Sequence, residues 1–143
     1  MSEDQVEALV VRGAFRRVQS DPKAARADLA TAQRHLETAD TLAEDEVAAL
    51  AIAYEAARKA IVAHMRANGL RAVGGEGAHA RVGEYALAAF DDASLAQRIR
   101  AFDRVRRLRN RSQYDAMPVE GADVAFALEQ ARAIVAAVEA DLS

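Results

Sequence analysis

The residues with the clearest chemical potential are arginines gathered in one segment. Residues 98–115 read RIRAFDRVRRLRNRSQYD, and seven arginines fall within the fourteen residues 98–111, although the whole chain carries a net charge of −3. Guanidinium groups bind phosphate and carboxylate oxygens through paired N–H donors. A local excess of positive charge in an acidic protein therefore predicts a surface for RNA, for a phosphate-bearing ligand or for an acidic partner.

A helical projection of this segment divides its arginines into two groups. Leu95, Ile99 and Phe102 define an inward apolar stripe. Four arginines lie on the opposite side, where they form either a solvated face or a phosphate-facing ridge. They are Arg100, Arg104, Arg107 and Arg111.

Two further arginines, Arg106 and Arg109, fall on the same arc as the apolar stripe. An arginine in that position is costly unless it is paired or opens into a polar groove. The pattern therefore predicts a cleft or a second subunit at this end of the helix. The alternative is a structural anchor, in which Tyr54 and Glu55 of an earlier helix pair with one of these arginines.

Polar side chains follow at the end of the arginine helix. Asn110, Tyr114 and Asp115 are the most informative of them, with Ser112 and Gln113 between. This cluster either binds phosphate and stacks a base on Tyr114, or forms a well-capped helix terminus. The predicted binding residues are Arg106, Arg109, Asn110 and Tyr114, with His79, Arg111 and Asp115 as accessory candidates.

The three histidines, His35, His64 and His79, do not have the spacing of a metal site. The sequence therefore predicts no metal and no cofactor. We expect His35 to be exposed and His64 to be a partly buried or surface residue. His79 follows a glycine-rich stretch, and either it folds back toward Tyr114 and supplies an imidazole there, or it has no functional role.

The spacing of apolar residues is helical throughout. It predicts an all-α fold, an up-and-down bundle of five to six helices in one domain over residues 1–143, with no strands. The first helix is expected to continue through Val18. Asp21-Pro22 then starts a second helix that ends near Asp40. The acidic residues 44–46 start a long third helix that ends at Gly69. After a loop over residues 69–77, a fourth helix, the arginine helix and a final helix are separated by Asp91-Asp92 and by Pro118 and Gly121.

Composition excludes several classes of site. The chain has no cysteine, which removes disulfides, thiolate zinc sites and thiol nucleophiles. The N-terminus MSEDQVEALV does not have the pattern of a signal peptide, and no apolar run approaches the length of a membrane span. We therefore expect a cytoplasmic protein that does not contact membranes.

Three stretches together resemble the HEPN superfamily, the nucleotide-binding helical domains of prokaryotic toxin–antitoxin and defence systems. YEAARKAIVAHMRANGLR resembles the long helix of the family, GGEGAH its following loop and histidine, and RLRNRSQYD its signature near the final helix pair. The ribonucleases of the family use Arg, then four to six variable residues, then His. Arg109-Asn110 is similar to the first half of that motif, whereas Tyr114 stands where the histidine is expected.

The resemblance implies a HEPN-like domain over residues 1–143 that dimerises with its Arg-Asn segments near the two-fold axis. It implies binding of RNA or a nucleotide together with a partner, such as a nucleotidyltransferase or a toxin or antitoxin protein. Because tyrosine is a poor proton shuttle at neutral pH, the expected module is non-catalytic. A metal-independent endoribonuclease that uses His79 or Tyr114 is the enzymatic alternative, and an antitoxin-like interaction subunit is a third. In some related systems a tyrosine beside the motif is a target of nucleotide modification, which makes Tyr114 a candidate for that.

Overall fold

The computed structural model describes residues 2–74 and 78–143, and in those ranges the chain forms six α-helices and one two-stranded antiparallel ladder. In chain order the elements are α1 (Glu3–Val11), β1 (Phe15–Arg17), α2 (Pro22–Asp40), α3 (Glu46–Ala67), β2 (Leu70–Ala72), α4 (Ala78–Ala89), α5 (Ala93–Tyr114) and α6 (Gly121–Leu142). The predicted all-α bundle is confirmed, at the upper end of the predicted number of helices.

The alanine-rich helix α3 is the centre of the bundle, and it packs against α2, α4, α5 and α6. Ala49, Ala53, Ala57 and Ala60 of this helix are each exposed by 1% or less. Small side chains at a helix contact allow neighbouring helices to approach closely. As a result, polar residues on the remaining face of α3 lie within reach of side chains from α4 and α5.

The helices begin at the capping residues that the sequence indicates. Asp21 accepts a hydrogen bond from the Ala24 amide at 3.0 Å, and Pro22 is the first residue of α2. Asp45 accepts from the Ala48 amide at 3.1 Å, and Asp92 accepts from the Leu95 amide at 3.0 Å. Each carboxylate satisfies an amide that has no partner inside the first turn. The predicted starts of α2, α3 and α5 are therefore confirmed.

The expectation that the chain has no strands is wrong. α1 ends at Val11 instead of continuing through Val18, and Phe15, Arg16 and Arg17 pair with Ala72, Arg71 and Leu70 respectively. Phe15 is only 2% exposed and its ring lies 6.0 Å from that of Tyr85. Burial of this aromatic ring stabilises the extended conformation of residues 15–17 relative to a continued α-helix. Part of the predicted loop over residues 69–77 is thus strand β2, and residues 75–77 of that prediction lie outside the described ranges.

Gly69 joins α3 to the ladder, and this position requires glycine for two reasons. Its φ is +68°, a left-handed conformation that side chains disfavour. A Cβ atom here would also lie 2.6 Å from the carbonyl oxygen of Val18. The predicted end of the third helix at Gly69 is confirmed, because Asn68 caps the helix and Gly69 turns the chain into β2.

In the part of the chain that the structure describes, no helix combines the length and the hydropathy needed to cross a bilayer.

Candidate functional site

The arginine helix α5 has the two faces that the helical projection predicts. Ile99, Phe102 and Val105 are buried to 2% exposure or less. The four arginines expected on the opposite side are all exposed, and the guanidinium of Arg104 lies 5.1 Å from the ring centre of Phe126. Arg106 and Arg109 are half-buried on the inward side. The prediction that these two arginines differ from the other four is confirmed.

Arg106 lies at the contact between α4 and α5. Its Nε donates to Oδ1 of Asp103 at 2.9 Å, one turn earlier on the same helix. Asp103 also contacts Nε of Arg107, at 3.5 Å. Arg106 lines a cavity of about 480 Å³ together with residues of α4. It is therefore paired with an acid and still borders an opening, as the predicted cleft requires.

Arg109 has a different environment, because its guanidinium lies over the ring of Tyr54, 5.3 Å from the ring centre. Nη1 donates to Oδ1 of Asn110 at 3.1 Å, whereas the buried Nε has no acceptor. Among the residues that the structure describes, Arg109 forms no ion pair with a carboxylate. Contact with an aromatic face stabilises a guanidinium while leaving N–H groups at its edge free for an incoming acceptor.

Tyr54 is the residue around which the site is organised. It is fully buried, stacks on Phe102 with ring centres 5.2 Å apart, and places its hydroxyl 2.9 Å from Nδ1 of His79. Burial raises the pKa of Tyr54 to about 12, although the nearby charges of Arg58 and Arg109 oppose this. The phenol is therefore protonated at neutral pH and must find an acceptor for its hydrogen.

His79 provides that acceptor. Desolvation, followed by the positive charge of Arg58, lowers the pKa of His79, so the ring is neutral at pH 7. A neutral imidazole carries one proton, and a buried hydroxyl without an acceptor costs about 1–3 kcal/mol. Donation from Tyr54 to Nδ1 avoids that cost and leaves the His79 proton on Nε2. His79 thus presents an N–H donor on the edge of its ring away from Tyr54, and it contacts Tyr54 instead of the predicted Tyr114.

Arg58 and Glu55 complete the cluster on the neighbouring turn of α3. Arg58 donates from Nε and Nη2 to the two oxygens of Glu55, both at 2.9 Å. Burial opposes ionisation of Glu55, but the hydrogen bonds and charge of Arg58 outweigh it, so the pKa of Glu55 lies below its usual value. The same hydrogen bonds raise the pKa of Arg58. Glu55 is therefore paired within its own helix and forms no ion pair with Arg109.

We call Arg58, His79, Arg106 and Arg109 around Tyr54 the arginine–tyrosine cluster. Arg58, Arg106 and Arg109 all act electrostatically on both Tyr54 and His79. Its three guanidinium groups face two carboxylates, those of Glu55 and Asp103. The cluster therefore has an excess positive charge and free N–H donors.

The remaining predicted residues do not join this cluster. Tyr114 is 79% exposed, and Arg111 and Asp115 are also exposed at the end of α5. The Asp115 amide donates to the Arg111 carbonyl at 2.9 Å, which completes the last turn of the helix. Asn110 contacts the cluster only through Arg109. The structure thus divides the predicted site into an inward part and an exposed helix end.

Arg58 is a site residue that the sequence pattern did not indicate, and Tyr54 was predicted only as a possible anchor for an arginine. A signal was present in the spacing, because Tyr54 and Arg58 are four residues apart and share a face of α3. That spacing does not reveal which element the face meets. The alternative of a structural anchor is correct in part, since Tyr54 contacts Arg109 while Glu55 does not pair with either arginine.

His64 lies in a second buried polar cluster, whereas the sequence predicted a partly buried or surface residue. It is 1% exposed; Nδ1 lies 2.6 Å from the Tyr85 hydroxyl, and Nε2 pairs with Oδ2 of Asp141. Desolvation lowers the pKa of His64 against the effect of Asp141. Since a carboxylate only accepts, the neutral ring carries its proton on Nε2 and accepts at Nδ1 from Tyr85. His64 therefore connects α3, α4 and α6. His35, expected to be exposed, is half-buried.

No protein-family model matches the chain, and neither curated proteins nor solved structures give a match. The resemblance to the HEPN superfamily stays a prediction.

Proposed function

We propose that this chain binds single-stranded RNA or a nucleotide through phosphate groups at the arginine–tyrosine cluster. The observation that supports this best is the environment of Arg109, a half-buried guanidinium held against Tyr54 with no carboxylate partner among the described residues. A phosphate accepts paired N–H bonds from arginine with geometry that suits the guanidinium fork.

The chemistry of the other groups supports the same ligand. His79 offers the Nε2 proton, and Arg58 and Arg106 add positive charge that their carboxylate partners only partly offset. The cluster therefore presents donors to the ionised oxygens of a phosphate group, which only accept hydrogen bonds. The ring of Tyr54 contacts Phe102 and Arg109 and is not available for base stacking, so this cluster recognises the phosphate and not the base.

The wider proposal follows the family resemblance. We propose a cytoplasmic, HEPN-like, non-catalytic module that forms a homodimer and acts with a partner such as a nucleotidyltransferase or a toxin or antitoxin protein. The exposed arginines on the outward face of α5 support an acidic partner surface. Co-purification with the product of a neighbouring gene, together with light scattering, tests this part.

The phosphate site is tested by fluorescence anisotropy with a labelled short single-stranded RNA and, separately, with labelled AMP. Arg109→Ala should weaken binding about tenfold and reduce the slope of log affinity against log salt by about 0.7, the value for one lost phosphate contact on a single strand. The affinity of Arg109→Lys should lie between those of the wild type and Arg109→Ala, because lysine keeps the charge but lacks the planar guanidinium fork. RNA binding without AMP binding identifies a polynucleotide ligand.

Arg104→Ala is the matched control, since Arg104 is an exposed arginine on the opposite face of the same helix and does not line the cavity at Arg106. It should leave affinity within about twofold of the wild type, because surface charges contribute little individually. Equal losses in Arg104→Ala and Arg109→Ala would assign binding to the general charge of α5 and contradict a specific site. Circular dichroism of each variant checks that the fold is retained.

A metal-independent endoribonuclease is the second candidate, and the observation in its favour is His79, a neutral imidazole beside Arg58. A general base, however, needs an unprotonated nitrogen facing the substrate. Donation from Tyr54 directs the lone pair of Nδ1 inward and leaves Nε2 protonated. We therefore expect labelled RNA to stay intact with purified protein in EDTA. Cleavage that is lost in His79→Ala would establish the nuclease instead.

A further inference from the structure

A second cavity, distinct from the one at Arg106, lies between the two-stranded ladder, α3 and the start of α4. We call it the ladder cavity. Its volume is about 580 Å³, within the range of about 300–1,000 Å³ that small-ligand pockets occupy. The cavity borders the arginine–tyrosine cluster, because His79 and Arg58 line it as well.

The inner wall of the ladder cavity is apolar. Val62 and Met65 come from α3, Leu70 from β2 and Val82 from α4. Met65, Leu70 and Val82 are exposed by 4% or less, so their positions are fixed by the core. A wall of this kind binds the apolar or aromatic body of a ligand by removing its surface from water.

The polar lining of the ladder cavity is mostly cationic. Arg58, Arg66 and Arg71 contribute guanidinium groups to it, the neutral ring of His79 adds an N–H donor, and Asp21 is the only carboxylate among the described lining residues. The Asp21 carboxylate is already used to cap α2 through the Ala24 amide. The lining therefore attracts anions, and no uncommitted carboxylate among its described residues offers a site for a cation.

Several donors in this lining are already engaged, which identifies the ones that are free. Nε of Arg66 pairs with Asp28 at 2.6 Å, and Arg58 uses Nε and Nη2 on Glu55. In the described residues, Arg71 forms no ion pair, Nη1 of Arg58 has no acceptor, and Nε2 of His79 has no partner. The residues that carry these donors line the same cavity as the apolar wall.

We infer that the ladder cavity binds a small organic anion with an apolar or aromatic body. The anionic group is held by Arg71, Arg58 and the Nε2 proton of His79, and the body lies against Val62, Met65, Leu70 and Val82. This inference does not require that the proposed RNA site exists, although the two sites share Arg58 and His79. A nucleoside monophosphate and an aromatic carboxylate or sulfonate both have the required chemistry.

The test uses 1-anilinonaphthalene-8-sulfonate, a fluorescent anion with an aromatic body, titrated into the folded full chain. AMP and benzoate are added separately, and the one that displaces the dye shows which class of organic anion competes for the cavity. Inorganic phosphate tests an anion that has no apolar or aromatic part. We expect saturable binding of the dye that AMP or benzoate displaces and that phosphate alone displaces poorly. A wild-type protein that does not bind the dye, or one in which neither organic anion displaces it, overturns the inference.

Two variants separate the apolar wall from the charged lining. Val62→Phe places a larger side chain in the cavity from a half-buried position, and Arg71→Glu reverses an exposed charge. Each should weaken dye binding by about tenfold or more. Arg26→Glu, a reversal at an exposed arginine of α2 that does not line the cavity, is the matched control and should change affinity by less than about twofold. Unchanged dye affinity in Val62→Phe or Arg71→Glu overturns the inference.

The same variants distinguish this site from the RNA site. Val62→Phe should keep the RNA affinity of the wild type, and Arg109→Ala should keep the affinity for the dye. A wild-type protein that binds the dye but not RNA then contradicts the proposed function alone, and one that binds RNA but not the dye contradicts the ladder-cavity ligand alone. Near-ultraviolet circular dichroism confirms that dye binding reports a native cavity and not a loosened core.

Discussion

Acidification should destabilise this protein through His64, because its ring is buried in the neutral form. Nε2 donates to Asp141 and Nδ1 accepts from Tyr85, so a second proton on Nδ1 would oppose the Tyr85 hydroxyl hydrogen. The side-chain amide nitrogen of Asn68, which is another donor, also lies 3.4 Å from Nδ1 of His64. Burial lowers the pKa of His64, and the hydrogen bond and charge of Asp141 only partly compensate.

The direction and size of the effect follow from proton linkage. The folded-state pKa lies below the unfolded value of about 6.5, so the unfolded chain binds more protons in this range. The stabilisation is present above about pH 6.5 and is lost as the pH falls below it, with a slope of at most about 1.4 kcal/mol per pH unit. If His64 stays neutral throughout, the loss between about pH 7.5 and 5.5 approaches about 1.4 kcal/mol.

Urea denaturation at constant ionic strength measures the effect in wild type and in His64→Gln. The variant itself should cost about 1–3 kcal/mol at neutral pH, because one partner of the buried cluster is left unsatisfied. Partial desolvation and the charge of Arg58 also lower the pKa of His79, which acts in the same direction, so the informative quantity is the difference in unfolding free energy between the two proteins. That difference should shrink as the pH falls.

Asp141→Asn provides a second variant, because asparagine keeps an acceptor for Nε2 and removes the charge that favours the imidazolium form. We expect its stability to fall more steeply with acid than that of the wild type. A difference between wild type and His64→Gln that stays constant from about pH 7.5 to 5.5 would show that His64 titrates in the folded state as it does in the unfolded chain. The reasoning from its burial would then be refuted.

Two further predictions concern stability and use matched controls. Gly69→Ala and Gly13→Ala both introduce a side chain at positive φ, which costs about 1–2 kcal/mol. Only Gly69→Ala also brings a Cβ within 2.6 Å of the Val18 carbonyl, so it should lose at least about 1 kcal/mol more in thermal or urea melts; equal losses would contradict the steric argument. Asp92→Ala should cost about 1 kcal/mol, since its carboxylate caps α5 at the Leu95 amide. Asp91→Ala should stay within about 0.5 kcal/mol of the wild type in the same melts, and a larger loss there than in Asp92→Ala would contradict the assignment of the cap.

The limits of sequence-based prediction are clearest in the arginine–tyrosine cluster. The position of Arg109 on the inward arc of α5 follows from a 100° rotation per residue, which depends only on its neighbours in the chain. Its contact with Tyr54, and the hydrogen bond from Tyr54 to His79 across 25 residues, depend on how α3, α4 and α5 pack. Helical periodicity does not encode that packing. The predicted approach of His79 to Tyr114 had no local pattern to support it.

The amino-acid sequence by itself determined the helices, their capping residues and the two faces of α5, because these features arise from interactions within about one helical turn. Only the tertiary structure decided that Phe15 would leave the helical pattern and pair its strand with β2. It also decided that His64 would be buried between Tyr85 and Asp141, a hydrogen bond that spans 77 residues. The physical reason is that burial of a ring or of a polar group is set by the whole packed core, whose contacts join segments that are distant in the chain.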